Sequence, residues 1–186
     1  MKNIKDCLIT SKEGFSVENL QRFPSMEWGD EGGLQADLLY NGDKIMTVFN
    51  EGNGGCAVCH TTELYSTKMG EIKSAALDFL KRKDKNWDKY DFLRDKTYQD
   101  IDDDDFEGVV LLIEERFNDI NAVSKFFDEG FNSVGIAKND LKTIYLRYRV
   151  EDISNEEVRD YLDKNLSKDN YTDVEIIRKS DNLCVY

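Results

Sequence analysis

The stretch GGLQADLLYNGDKIMTVFNEGNGG, residues 32–55, decides how the first half of the chain folds. Asn41-Gly42 is the preferred centre of a two-residue hairpin turn, because both positions of that turn need positive φ. Pairing outward from it sets Leu38 against Ile45, Ala36 against Thr47 and Leu34 against Phe49. Those residues and Tyr40 then share one face, while Asp37, Leu39, Lys44, Met46 and Val48 share the other. The first face is expected to be the core side. The loop NEGNGG (50–55) turns the chain into a third strand that carries Cys56 and Cys59, and VENLQRF (17–23) supplies a strand before the hairpin. An antiparallel meander is expected.

Beyond the meander the apolar period changes. In residues 66–85, Met69, Ile72, Ala76, Phe79 and Leu80 fall on one helical stripe, which should lie across the sheet. NWDKYDFLRDKTYQ (86–99) mixes aromatic and charged residues and reads as a short helix with a connector. Phe106, Val109, Val110, Ile113, Phe117 and Ile120 mark a second long helix. Two strands, 133–138 and 143–150, follow around Asn139-Asp140. A helix is then opened by Ser154 and Glu157 at capping-box spacing. The segment 173–186 reads as two strands joined around Ser180 to Asn182. Sheet, helix, helix, sheet, helix, sheet is an α+β order with mainly antiparallel strands. It divides into a β-meander plus helix lobe, 1–98, and an α+β lobe, 99–186.

The charge balance narrows the function classes. In 186 residues, 38 Asp and Glu oppose 25 Lys and Arg, for a net charge of −13. Such a surface repels a phosphate backbone, so direct non-specific DNA binding is not expected, and a basic partner is. The N-terminus lacks the apolar core of a signal peptide, and no run approaches the roughly 20 apolar residues of a membrane span. A cytoplasmic protein is expected, with no membrane partner and with reduced cysteines at 7, 56, 59 and 184.

Several patterns compete for chemistry. Cys56-Ala-Val-Cys59-His60 spells a c-type haem attachment site and half of a zinc site. Haem attachment normally follows export, and His60 is the only histidine. A structural zinc would need His60 or the distant Cys7 and Cys184 to complete its four ligands, since no second Cys-x-x-Cys pair exists. A redox dithiol usually opens a helix, whereas this segment reads as a strand. The reading is no metal and no cofactor, with both thiols as small, partly buried strand residues. On a strand Cys59 and His60 point to opposite faces, which disfavours a Cys-His nucleophile. GNGG lacks the lysine of a phosphate loop and reads as a turn.

The run Asp100, Asp102, Asp103, Asp104, Asp105 and Glu107 imitates the first ligands of a calcium loop. Position six of that loop is Asp105 instead of Gly, and position twelve is Leu111 instead of Glu. A solvated helix start, where the macrodipole favours acids, is the expected setting. Divalent-metal phosphodiester cleavage would need carboxylates such as Asp30, Glu31, Asp37, Glu51 and Glu63 to converge, which only the fold can arrange.

The block FSVENLQRFPSMEWGDEGGLQADLLYNGDKIMTVFNEGNGGC (15–56) resembles a domain of small bacterial proteins carried by prophages and other mobile elements. In length and acidity the chain is similar to anti-defence proteins, in particular inhibitors of type II CRISPR effectors. The resemblance implies a protein that binds and inhibits a basic, nucleic-acid-processing defence enzyme with its guide RNA; it carries over no catalytic residue. The alternatives are a metal-dependent nuclease acting on guide RNA and a zinc-binding or housekeeping interaction domain. For the inhibitor, the partner-binding residues are Asp100, Asp102, Asp103, Asp104, Asp105 and Glu107, ahead of the helix bearing Glu156, Glu157, Asp160 and Asp163. Since none of these is a core position, exchange of Asp102 to Asp105 is expected to leave folding intact.

Overall fold

Asn41 and Gly42 both take positive φ, 53° and 88°, and close the expected hairpin. The computed structural model describes residues 9–24, 32–52, 54–84, 87–138, 143–165 and 173–181. Strands β1 (Phe15–Phe23), β2 (Gly33–Tyr40), β3 (Asp43–Asn50) and β4 (Val58–Thr61) form an antiparallel sheet in sequence order. Next to the turn, Tyr40 pairs with Asp43 and Leu39 with Lys44. The register then slips: Leu38 pairs with Met46, Ala36 with Val48 and Leu34 with Asn50. Ile45 is the extra residue of a β-bulge.

The bulge corrects the expected pairing and has a plain cause. An unbulged β3 would leave Met46 and Val48 on the solvent side. With the extra residue, Ile45, Met46 and Val48 are all buried, opposite the core-facing Leu34, Ala36 and Leu38. Thr47 moves to the outer face across from Asp37, to which its Oγ1 donates at 2.8 Å. Asn19, itself at φ 52° in a bulge of β1, donates to Asp37 at 2.9 Å, and the Lys44 ammonium lies at 2.7 Å. Burial works to raise the Asp37 carboxyl, but these three donors hold it below its ordinary value. Their stabilisation is present above the ordinary carboxylate range and is lost as pH falls through the lowered value.

Helix α1 (Glu63–Lys83) starts at the Thr62 cap and buries Ile72, Ala76, Phe79 and Leu80 against the sheet. Met69, expected on that stripe, is 45% exposed. The backbone leaves helical geometry at Lys68 (φ −113°, ψ 19°), one residue before it. After the short α2 (Asp91–Arg94) and a 3₁₀ turn (Tyr98–Asp100), α3 runs over Asp103–Asp128. Its Phe106, Val109, Val110 and Ile113 join the core made by α1 and the sheet.

By packing, the described residues divide into a unit up to Phe117 and a unit from Asn118 onward, so the change falls inside α3. Phe117 stands at that change and is 46% exposed, in contrast to its expected place in the apolar stripe. In the second unit β5 (Ser133–Lys138) is flanked by β6 (Thr143–Tyr148) and β7 (Asp173–Arg178), all antiparallel. Helix α4 (Asn155–Asn165) buries Val158 and Leu162 with Ala137 and Ile153. A Cβ on Gly135 would stand 3.1 Å from Val158, so glycine there lets helix and strand approach. The Ser154–Glu157 capping box is formed in both directions, at 2.8 and 3.2 Å. The fold is α+β. The Asn139-Asp140 turn, the expected last strand with Cys184, and Cys7 lie outside the described residues. Among the described residues no helix is long and apolar enough to cross a membrane.

Candidate interaction surface

Each of the six carboxylates singled out in the acidic run accepts a hydrogen bond from within the chain. Asp100 accepts from the Thr97 backbone N–H at 2.8 Å and from its hydroxyl at 2.6 Å, which holds its carboxyl below the ordinary value. Asp102 and Asp105 cap one another: the Asp105 N–H donates to Asp102 at 3.1 Å, and the Asp102 N–H donates to Asp105 at 2.8 Å. Asp105 also pairs with the Lys96 ammonium; burial nevertheless raises its carboxyl. Glu107 accepts from the Asn50 amide at 3.0 Å.

Asp103 and Asp104 do something that composition does not announce. Among the described residues strand β4 pairs only with β3, and is there an edge of the sheet. Next to that edge, the Cys59 N–H donates to Asp103 at 2.8 Å and the Ala57 N–H donates to Asp104 at 2.7 Å. Unpaired N–H groups at a strand edge are templates for unwanted pairing. Here the first turn of α3 covers them with two carboxylates.

The same contact bears on Cys59. Cys59 alone lies on β4; Cys56, expected on the strand, precedes it in the loop and is exposed. Burial first, then the charge of Asp103, pushes the Cys59 thiol up to about 12. The thiolate is the nucleophile, so Cys59 is a poor nucleophile at neutral pH. Peptide mapping after iodoacetamide treatment at pH 8 should find Cys56 modified and Cys59 untouched until denaturant is added. Rapid labelling of native Cys59 would contradict this environment. His60 is exposed and paired across the sheet with Thr47. Among the described residues no three His, Cys, Asp or Glu side chains are grouped as a metal ion would require. Glu51 and Glu63 are exposed and Asp37 is held on the outer sheet face, while Asp30 and Glu31 lie outside the described residues.

No family model, curated protein or solved structure matches this chain.

Next to the acidic run stands a feature that the mixed pattern of residues 86–99 only hinted at. Phe92 is 73% exposed, and its ring packs on exposed Tyr90 with centroids 5.7 Å apart. Tyr98, two residues before Asp100, is exposed as well. Lys96, between these aromatics in the chain, is anchored to Asp105 and lies 4.0 Å from Asp102. That anchor ties the segment bearing the aromatic side chains to the start of α3. In the second unit, α4 presents Glu156, Asp160 and Asp163 to solvent.

Proposed function

We propose that the protein is an acidic binding protein that docks on a basic, nucleic-acid-handling enzyme and inhibits it, with type II CRISPR effectors as the first class to test. The observation that supports this reading is the pair of exposed rings, Tyr90 and Phe92, with Tyr98 close by the carboxylate run Asp100 to Glu107. Residues 6–117 hold 24 Asp and Glu against 13 Lys and Arg, so the acid excess is concentrated in the unit that bears these rings. Accepting a hydrogen bond from a neutral N–H does not remove a carboxylate's charge, and each carboxylate has acceptor sites to spare. Aromatic anchors supply contact area, and a cation brought over a ring face gains further attraction. Surrounding carboxylates steer a positive partner and set the salt dependence of its association. A positively charged channel that holds a guide–target heteroduplex presents such a surface.

The test is an inhibition titration of purified effector with its guide RNA, read by target cleavage and by a denaturing gel of the guide. The reading expects inhibition to saturate at a fixed ratio of protein to effector, to weaken with salt, and to leave the guide intact. Phe92→Ser and Tyr90→Ser, both at exposed positions, should weaken inhibition about tenfold or more while leaving the melting temperature unchanged. Guide RNA that shortens catalytically in the presence of a divalent ion would replace this reading with that of a nuclease.

A further inference from the structure

A cavity of about 190 Å³ opens beside α3, lined in part by Arg22, Asn50, Gly55, Glu107 and Leu111. On α3, Glu107, Leu111 and Glu114 follow one another at i, i+4 and i+7, and so share one helix face. This face already holds one guanidinium. Arg22 meets Glu114 through a two-point fork, its Nε donating at 3.0 Å to one oxygen and its Nη2 reaching the other. Two turns earlier, Glu107 offers the same group to the cavity. It accepts from the neutral amide of Asn50, whose own oxygen is taken by the Gly52 N–H at 2.7 Å. The charge of Arg22 is therefore offset by Glu114, while among the described residues Glu107 has no cation against it.

The wall of the cavity points the same way. Gly55 has no left-handed φ, and a Cβ added to it would meet nothing within 4 Å. Among the described residues neither torsion nor packing calls for glycine there, and Gly55 lines the cavity. Phosphate or another anion would find Arg22 already paired and two carboxylates nearby. A cation finds an uncompensated carboxylate and an apolar neighbour, Leu111, for a methylene stem.

We infer that this cavity binds a guanidinium group, carried by an arginine side chain of a protein or by a free guanidino compound, against Glu107. The inference rests on the cavity alone and holds whatever enzyme the protein inhibits. The full-length protein should be titrated with agmatine and with N-acetyl-arginine amide, followed by NMR chemical shifts, with inorganic phosphate and glutamate as controls. Saturable binding of either guanidinium probe, without binding of the anions, is the expected result. Binding of the capped arginine alone would assign the site to a protein side chain, and binding of agmatine alone to a free guanidino compound. Glu107→Gln keeps an acceptor for Asn50 but removes the charge, and should weaken binding about tenfold. Gly55→Leu should abolish it by filling the cavity; if that variant does not fold, Glu107→Gln decides. Failure of both probes to bind the wild-type protein, unchanged binding in folded variants, or preferential binding of phosphate would overturn the assignment. Inhibition of an effector plays no part in this readout, so the two readings fail separately.

Discussion

Replacing Asp102, Asp103, Asp104 and Asp105 together with alanine is expected to lower stability by about 4 kcal/mol, roughly 1 for each carboxylate. Sequence pattern alone makes the four exchanges harmless, because none occupies an apolar position. The bonds they make argue otherwise. Asp102 and Asp105 satisfy each other's backbone N–H at the start of α3, and Asp105 also holds Lys96. Asp103 and Asp104 take the N–H groups of Cys59 and Ala57. Ala57 is buried, so its N–H would lose a partner that water cannot easily replace. Against a total of about 5 to 15 kcal/mol for a typical domain, the loss is large. Urea denaturation followed by circular dichroism measures it directly. An unchanged midpoint in the quadruple variant would show that these bonds contribute nothing. Exchange to asparagine should cost less, since asparagine still caps and still accepts.

In the second unit, Asp119→Ala should cost about 3 kcal/mol, because it breaks a buried ion pair from one side only. Asp119 is 4% exposed; it faces the Lys138 ammonium and accepts from the Tyr145 hydroxyl at 2.9 Å. Removing the carboxylate leaves an ammonium and a phenol without that acceptor in a place with little access to water. Removing both charges is a different experiment. Asp119→Leu with Lys138→Met should recover most of the loss, since a well-packed apolar pair often matches a buried ionic one. If the single and double variants melt together, the pair is not what holds this region.

The elements that residues announced most clearly are those set by local geometry. Asn41-Gly42 closed its turn because few other dipeptides accept its torsions. Ile72, Ala76, Phe79 and Leu80 lie buried as their spacing indicated, and Ser154 and Glu157 cap as their separation requires. What stayed hidden depends on the partner element. The slip at Ile45 follows from which face of β3 is covered, and a strand with apolar residues at 45, 46, 48 and 49 does not state that on its own. The acids of residues 100–107 looked like solvated charge because their partners, Cys59 and Ala57, are backbone groups that any residue would offer. Cys56 missed its strand because β4 begins two residues later, where pairing with Phe49 starts. Phe92 and Tyr90 could have been noticed as large rings without an apolar period around them.

The cover on β4 also sets a timetable. The sheet's last strand ends at Thr61, but the carboxylates that close its open side lie 44 and 47 residues further along from their donors. A ribosome adds about 5 to 20 residues per second, so a nascent chain carries this open side for about 2 to 9 seconds before Asp103 and Asp104 are even made. During that interval the growing polypeptide carries a strand edge open to mispairing with its neighbours on a polysome.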